Sequence, residues 1–386
     1  MVGALRPAVA ACREHAVVLV HGLDGEPSDF ATLAALAARR HPRAQIYAAQ
    51  SLGLQRDGIV AAGRRLADEI EQLCAPLASS APPLLSIVGH SNGGLVARYA
   101  LGELEACGAL GDGVASARMS PNAFVTLSSP HLGVRRSNNA ASPFESEAFQ
   151  PLVRRIVTAG TYGHAGVQLA MLDADGARGA PLLVELADAD GHYVRALRRF
   201  HRRVAVASVS HEILVPFGSA ALLSGPAHQS RRSLDRAPRL APNVVSHTAL
   251  QPLPAPPPRA SSTPPPLLPP RLLSRAEQAR ACALSARMVH GLRSAGTWHR
   301  VVADFRWGML GWCHWLTVGK GVPRPSGVPP APCGTGVTAR SPLRARERVA
   351  RGVEVLLAAA RVGERSRLDE AQSADHPPSF TRIHHT

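Results

Sequence analysis

Residues 89–94 hold a serine placed between glycines, a pattern typical of a nucleophile that attacks acyl groups. They read Gly-His-Ser-Asn-Gly-Gly, so Ser91 has one glycine two positions before it and another two positions after it. The turn that this pattern specifies is sharp and strained, so its flanking positions must be small, and the hydroxyl is held clear of the backbone. We therefore predict that Ser91 is a nucleophile. The alternative is a glycine-rich turn in which Ser91 only caps the next helix.

The acid of the predicted site is Glu212. A serine hydroxyl is a weak nucleophile, so it needs a base to accept its proton and an acid to orient that base. In a parallel sheet with such a turn, the acid and then the histidine follow the serine along the chain, each just after a strand. Glu212 comes directly after the strand-like run 203–208, and Asp188 and Asp190 are the second choice. The alternative for Glu212 is a surface carboxylate in a polar turn.

The base of the predicted site is His314. The only strand-like run after Glu212 covers residues 298–305, and His314 follows it. His290 and His299 lie before or on that run, where a side chain would point away from the site. The alternative for His314 is a histidine buried among the neighbouring tryptophans.

Two backbone N–H groups are predicted to stabilise the oxyanion of a tetrahedral intermediate at Ser91. One belongs to Asn92, the residue after the nucleophile, and the other belongs to Leu23. Leu23 lies in the glycine-rich segment 21–25 after the first apolar strand, where the backbone can approach the site closely.

Three further residues are predicted to line the substrate site. His21 and Gly22 precede Leu23 in the glycine-rich segment. His131 follows the strand-like run 122–127, so it lies near the site but before the acid in the sequence. We interpret His131 as either a structural residue or a wall of the pocket.

The elements around these residues predict an α/β fold with a mostly parallel sheet covered by helices on both faces. The residues on either side of Ser91 fit a buried strand at 84–88 and a helix at 93–104. Apolar runs that alternate with helical segments are typical of parallel sheets. Further strands are predicted at 15–20, 45–49, 122–127, 203–208 and 298–305.

The chain divides into four parts by composition. Proline-rich segments cannot pack a core, and ten prolines lie between residues 252 and 270. The expected parts are the main hydrolase domain at 1–225 with a helical cap or lid at 129–202, a disordered proline-rich insertion at 226–275, the part that carries the histidine at 276–320, and a Pro/Arg-rich tail with one amphipathic helix at 321–386.

The charge distribution does not indicate a specific nucleic-acid partner. The net charge is +15, but residues 1–225 are balanced at +1 and residues 226–386 hold the remaining +14. Nearly every basic residue is arginine, and aromatic residues make up only 4% of the chain. Proteins that bind nucleic acid more often mix lysine with arginine and place aromatic residues between them.

Membrane spans, metals and cofactors are not expected. No run approaches the roughly 18 apolar residues of a membrane span, so we expect a cytoplasmic or peripheral membrane protein and leave organelle targeting open. The six cysteines are widely spaced without a Cys-x-x-Cys pair, which is typical of reduced thiols and not of a zinc site. Neither a metal nor an organic cofactor is implied, and the oligomeric state is not predicted.

Three segments resemble the putative serine esterases, a lipase-like α/β-hydrolase family of eukaryotes. They are Val-Val-Leu-Val-His-Gly-Leu at 17–23, Gly-His-Ser-Asn-Gly-Gly-Leu-Val-Ala-Arg-Tyr at 89–99, and Phe-Val-Thr-Leu-Ser-Ser-Pro-His-Leu-Gly at 124–133. The resemblance covers about residues 15–217 and 285–318. It departs from the family at Glu212, where members usually carry aspartate, and at Cys313-His314, where they usually read Ala-His-Asn.

The resemblance implies a serine hydrolase that cleaves carboxylic esters, with lipid acyl esters as the substrate class. Ser91, His314 and Glu212 would form the triad, and an acyl-enzyme would be the intermediate. The expected partner is a lipid or a small ester, with a possible contact to a membrane or lipid-droplet surface. The alternatives are a catalytically impaired hydrolase-fold protein that binds lipids or other proteins, and an acyltransferase or thioesterase with the same triad.

Overall fold

The described part of the chain forms one seven-stranded sheet, in a computed structural model that describes residues 14–78, 81–111, 118–134, 160–209, 214–224, 244–254, 264 and 274–304. The strands are β1 His15–Val20, β2 Ala44–Ala48, β3 Leu84–His90, β4 Ser120–Leu127, β5 Arg202–Ser208, β6 Val244–Leu250 and β7 Trp298–Ala303. Their order is β2-β1-β3-β4-β5-β7-β6. All neighbours pair in parallel except β6 and β7, which are antiparallel.

Eight α-helices lie within the described residues. They are α1 Ala31–Arg40, α2 Ile59–Cys74, α3 Asn92–Ala106, α4 Gly163–Leu169, α5 Leu182–Leu186, α6 His192–Arg199, α7 Phe217–Ala220 and α8 Arg275–Arg293. Short 3₁₀ segments occur at Pro27–Phe30, Ala75–Leu77 and Ala177–Gly179.

The central strands of the sheet are buried on both faces, which explains why their sequences are largely apolar. Successive side chains of a strand point to opposite faces. In β1, Val18 packs with one core cluster, together with side chains of α2, α3, α6 and α8. Leu19 packs with the other cluster, together with Leu33 of α1. Burial of each such side chain contributes roughly 1.5–3 kcal/mol.

The strand order and directions are those of the α/β-hydrolase fold that the sequence predicts. The five predicted strands from β1 to β5 are all observed, with bounds that differ by two residues or fewer. The predicted run at 298–305 appears as β7, and residue 305 lies outside the described residues. Because these six strands are parallel, their carboxyl ends meet at one edge of the sheet, and ligands of α/β proteins bind at that edge.

The prediction of disorder for all of 226–275 is wrong at residues 244–250, which form β6. This segment carries β-branched residues and pairs antiparallel with β7 from Val244 to Leu250. Proline density was treated as a property of the whole segment, although residues 244–250 contain no proline. Most of the remainder, namely 226–243, 255–263 and 265–273, lies outside the described residues.

The predicted cap at 129–202 contains a helix that belongs to the layer covering the sheet. Tyr193 of α6 contacts Tyr99 of α3, with ring centroids 5.4 Å apart. Helix α6 therefore connects β4 to β5 as a crossover helix rather than as a lid. Helix α4 contributes Leu169 to the same core cluster. It also contacts the segment after β2, because the N–H of His164 donates to the carbonyl of Arg56. Residues 135–159 lie outside the described residues.

Helices long and apolar enough to cross a membrane are absent from the described ranges. The predicted tail at 321–386, with its amphipathic helix, lies outside those ranges.

Candidate active site

Ser91 stands alone between the end of β3 at His90 and the start of α3 at Asn92. Its backbone has φ 53° and ψ −128°, a conformation that costs a residue with a side chain on the order of 1–3 kcal/mol. The N–H of Ser91 donates to the carbonyl of Leu127 at the end of β4, at 2.9 Å. This bond fixes the strained residue at the carboxyl edge of the sheet.

The structure does not support the alternative in which Ser91 only caps α3. Its side chain makes no capping hydrogen bond to the helix. The residue is partly exposed, and its hydroxyl has no hydrogen-bond partner among the described residues. The hydroxyl is thus held clear of the backbone, as a nucleophile requires.

The glycines around Ser91 permit a close approach of α3 to the sheet. A Cβ on Gly89 would lie 2.5 Å from the Cα of Gly94, on the next turn of backbone. A Cβ on Gly93 would overlap the carbonyl oxygens of Val20 and His21. The first turn of α3 therefore packs directly against the end of β1, and only glycine fits at these positions.

The two predicted oxyanion donors belong to segments that adjoin Ser91. Gly22 lies against Ser91, since a Cβ added to Gly22 would lie 2.9 Å from the Cβ of Ser91. Leu23 is the next residue, and its N–H has no hydrogen-bond partner within the described ranges. Asn92 is the first residue of α3, where N–H groups lack an intrahelical partner and the helix dipole favours negative charge. The loop of Leu23 and the start of α3 thus both adjoin Ser91, and the role of their N–H groups as oxyanion donors stays a prediction.

Three buried polar side chains, His21, Gln55 and Asn92, form a group that we call the edge cluster. The amide of Gln55 donates from Nε2 to the carbonyl oxygen of His21 at 2.7 Å. Its Oε1 accepts from Nδ2 of Asn92 at 2.9 Å. The Oδ1 of Asn92 has no hydrogen-bond partner in the described structure. Burial lowers the pKa of His21, and the carbonyl of Gly22 opposes that shift.

Sequence reasoning missed Gln55. The residue follows β2 in Leu-Gln-Arg-Asp-Gly, and it has φ 58°, which is uncommon for glutamine. The one available signal was its position after a strand next to β1, at the edge where the other site residues were expected. Its partners are 34 and 37 positions away in the chain, so no local pattern reveals them.

Arg98, Thr126 and His131 form a second buried group, which we call the interior cluster. The ring of His131 lies 3.0 Å from the hydroxyl of Thr126 through Nε2, and 3.4 Å from a guanidinium nitrogen of Arg98 through Nδ1. The other terminal nitrogen of Arg98 donates to the carbonyl of Leu186 at 2.6 Å. Since arginine only donates, the proton of His131 is assigned to Nε2.

His131 does not line a pocket through its side chain, contrary to the prediction that places it among substrate-binding residues. It is fully buried, and its ring meets the ring of Trp298 edge-on at 5.7 Å. Burial and the nearby charge of Arg98 hold its pKa well below the ordinary value of 6.5. The structural interpretation of His131 therefore holds. His21 and Gly22 do lie beside Ser91, with the His21 side chain buried.

Glu212 and His314 lie outside the described residues, so their roles stay predictions. The strands that precede them are in place, because β5 ends at Ser208 and β7 ends at Ala303 in parallel register. Both ends lie at the edge of the sheet that carries Ser91.

The second-choice residues lie elsewhere. Asp188 and Asp190 are exposed. The backbone around them packs against Gly291 near the end of α8. Helix α8 leads into the start of β7, at the edge of the sheet opposite to Ser91. His299 is the second residue of β7, and its ring bonds to that of His247 at 3.1 Å. His290 is on α8. These positions are remote from the carboxyl edge.

Groups of three or more histidine, cysteine or acidic side chains able to hold a metal ion do not occur within the described ranges. Cys74, Cys107 and Cys282 are free thiols, and burial raises the pKa of the Cys74 thiol to about 12.

The chain is similar to a known family over more than half its length. The profile of the family described as "Putative serine esterase (DUF676)" matches residues 11–225. A relative named putative lipase C4A8.10, from Schizosaccharomyces pombe, is 28% identical over 139 residues, which are 36% of this chain and 16% of the relative. Putative lipase ROG1 from Saccharomyces cerevisiae is 29% identical over 218 residues, which are 55% of this chain and 29% of the relative.

The chain spans less than a third of the length of these two curated relatives. Among solved structures, the product of gene lin2722 from Listeria innocua is similar over 54% of this chain and 77% of its own, with 13% identity and a TM-score of 0.33. The fold assignment accordingly depends on the strand order and directions given above.

Proposed function

This chain belongs to the family of putative serine esterases, and from that premise we propose that it is a serine hydrolase that cleaves carboxylic esters of lipids through an acyl-enzyme. The observation that carries the proposal is Ser91 itself. Its strained backbone is fixed between β3 and α3, its hydroxyl makes no cap, and Gly22 brings the Leu23 loop against it. Strained conformations of this kind cluster at active sites.

In the proposed mechanism, Oγ of Ser91 attacks the acyl carbon of the ester while His314 accepts the hydroxyl proton. Glu212 orients the imidazole and stabilises its charged form. The N–H groups of Leu23 and Asn92 donate to the oxyanion that forms on the former carbonyl oxygen. His314 then returns its proton to the leaving alcohol, and a water molecule hydrolyses the acyl-enzyme by the same steps, which restores Ser91.

Two observations support lipid esters as the substrate class. The two yeast relatives are named as lipases. Three large apolar side chains of the described structure are exposed, namely Leu54, Leu172 and Leu214. Leu54 follows β2, Leu172 lies between β4 and β5, and Leu214 follows β5, so each belongs to a segment that leaves the carboxyl ends of strands. Leu54 is linked to the site by a contact, because its carbonyl accepts from the N–H of Asp24 beside Leu23, and an exposed apolar side chain there suits an acyl chain or a lipid surface.

The test compares wild type with Ser91→Ala on p-nitrophenyl esters from acetate to palmitate, together with labelling by a fluorophosphonate probe. We expect Ser91→Ala to lose at least about 10⁴-fold in kcat and all labelling, because nothing else can form the acyl-enzyme. Its unfolding temperature should stay close to that of wild type. Ser28→Ala is the matched control, since Ser28 is an exposed serine whose hydroxyl donates to Glu26.

Either of two results would overturn the proposal. Ester turnover that survives in Ser91→Ala would mean that Ser91 is not the nucleophile. A folded wild type that neither turns over esters nor reacts with the probe would mean that the chain is not an active hydrolase. Product analysis with added alcohol separates hydrolysis from acyl transfer.

A further inference from the structure

The turn formed by Leu54 and Gln55 is bonded to both segments that carry the proposed oxyanion donors. On one side lies the loop of Leu23, after β1. On the other lies Asn92, at the start of α3. The turn itself follows β2 and contributes no atom to the reaction, yet both donor segments depend on it for hydrogen bonds.

The loop of Leu23 is held at the residues on both of its sides. The carbonyl of His21 accepts from Nε2 of Gln55 at 2.7 Å, and the N–H of Asp24 donates to the carbonyl of Leu54 at 3.1 Å. Asp24 has φ 55°, a strained conformation that the second bond helps to hold. The N–H of Leu23 lies between these two anchors.

The Asn92 side is held by the other end of the same amide. Oε1 of Gln55 accepts from Nδ2 of Asn92 at 2.9 Å. A flipped amide would set the NH₂ group of Gln55 against that of Asn92, and Oε1 against the carbonyl of His21, so both bonds determine one orientation. Gln55 and Asn92 are fully buried, where hydrogen bonds are stronger and leaving them unmade is more costly.

We propose that Gln55 is a positioning residue that sets the separation of the Leu23 and Asn92 N–H groups. The proposal rests on the serine hydrolase function proposed above. Gln55 bridges the two donor segments through a single side chain, so loss of that bridge removes the hydrogen bonds that fix the separation of the Leu23 loop and the start of α3. A shift of the donors by about 1 Å costs about 10²-fold in rate in other enzymes.

The effect should appear in kcat rather than in KM. The oxyanion exists only in the transition state and the tetrahedral intermediate, so misplaced donors leave the binding of the uncharged ester nearly unchanged. A trifluoromethyl ketone, which forms a tetrahedral adduct with the serine, should lose affinity by the same factor as kcat/KM. A residue that only stabilises the fold would change the unfolding temperature and leave both quantities alone.

The main variant is Gln55→Met, which keeps the length of the side chain and removes its donor and acceptor together. We expect kcat to fall about 10- to 100-fold and KM to change by less than about threefold. The matched control is Gln50→Met, because Gln50 is an exposed glutamine of the same segment whose side-chain amide donates to the carbonyl of Ala48. All kcat values refer to sites titrated with the fluorophosphonate probe, so unfolded protein does not count.

A second variant keeps the proposal testable if Gln55→Met does not fold. Asn92→Leu removes only the bond on the α3 side, and it should also lower kcat without raising KM. Because both variants break one shared bridge, the double variant should lose less than the product of the two single losses.

The proposal is overturned if titrated Gln55→Met or Asn92→Leu keeps the wild-type kcat and ketone affinity, or if the two losses multiply independently. These outcomes require an active wild type. If wild type itself neither turns over esters nor reacts with the probe, the proposed function has failed instead, so the two failures can be told apart.

Discussion

The edge cluster and the interior cluster both include a residue of α3 and a buried histidine, yet they form hydrogen bonds to different parts of the fold. Asn92 is the first residue of α3, and Arg98 lies less than two turns further along it. Both clusters contain a buried histidine and a side chain that donates to a backbone carbonyl. In the edge cluster that carbonyl belongs to His21, two residues before Leu23. In the interior cluster it belongs to Leu186, at the end of α5.

The two clusters differ in the carbonyl that accepts the hydrogen bond. Gln55 bonds to the loop that carries Leu23, which suits a positioning role, whereas Arg98 bonds to the end of α5, which suits a role in packing. Burial and residue type do not separate them, because both histidines are buried. The clusters also differ in charge. The edge cluster has uncharged amides, whereas the interior cluster holds the guanidinium of Arg98, whose pKa burial lowers to about 9. Changes in the edge cluster should therefore alter rate, and changes in the interior cluster should alter stability.

Among changes that test this comparison, Gly93→Ala should have the largest effect, because it pushes the start of α3 away from His21 of the edge cluster. The new Cβ would overlap the carbonyl oxygens of Val20 and His21, and backbone cannot move aside as a side chain can. We expect kcat per titrated site to fall at least about 10²-fold, because α3 must shift away from the Leu23 loop. The measurement is ester turnover together with the unfolding temperature.

The matched control is Gly102→Ala, on the same helix but against the interior. Its Cβ would overlap the ring of Tyr193 on α6. Overpacking of this kind costs typically 1–3 kcal/mol of stability, and kcat per titrated site should remain near that of wild type. Equal losses of kcat in the two variants would contradict the comparison, since α3 would then respond as one rigid unit.

Arg98→Met should give the next largest effect, and on stability alone. The substitution leaves the carbonyl of Leu186 and Nδ1 of His131 without a donor, and a buried unsatisfied group costs about 1–3 kcal/mol. Relief of the buried charge offsets part of this loss. We expect the free energy of unfolding in urea to fall by about 1–4 kcal/mol. Titrated kcat should change by less than about threefold.

Arg98→Lys supplies the control, because lysine keeps a positive charge and donors but loses the planar fork that reaches both partners. It should fall between wild type and Arg98→Met in stability. A fall in titrated kcat of more than about tenfold in Arg98→Met, at unchanged stability, would place the interior cluster in the catalytic apparatus and end the distinction.

The sequence predicts the frame of this molecule because the frame follows from local patterns. The apolar run of β3, the glycines around Ser91 and the periodicity of α3 can each be read within about ten residues. Strand β6 could not be predicted in this way, because Val244–Leu250 is flanked by prolines and pairs with β7, which lies some 50 residues later in the chain.

The two clusters could not be predicted, because their partners are distant in the chain. Gln55 meets Asn92 across 37 positions, and Arg98 meets the carbonyl of Leu186 across 88. The position of His131 after the strand-like run 122–127 predicts that it lies near the site, whereas the packed layers bury its side chain against Trp298. Which carbonyl a buried amide or guanidinium finds is a property of the packed layers and not of any local spacing.

The smallest effect is on the pH dependence of stability, and it distinguishes the two histidines. Burial lowers the pKa of both His21 and His131 from the ordinary value of 6.5. Below about pH 6.5 these histidines are protonated in the unfolded chain but stay neutral in the folded chain. The free energy of unfolding therefore falls as pH falls, by up to about 1.4 kcal/mol per pH unit for each histidine. Above that pH the contribution is fully present.

The interior cluster should carry the larger share of this loss. The pKa of His131 lies well below 6.5, since the charge of Arg98 adds to burial, whereas the carbonyl of Gly22 and the nearby acids Asp29, Glu69 and Glu26 partly restore that of His21. The measurement is the free energy of unfolding in urea from about pH 7.5 to about pH 5. A plot of this free energy against pH should be flatter for His131→Gln than for His21→Gln. A flatter slope in His21→Gln would show that the edge cluster, despite its place beside Ser91, resists protonation more strongly than the interior does.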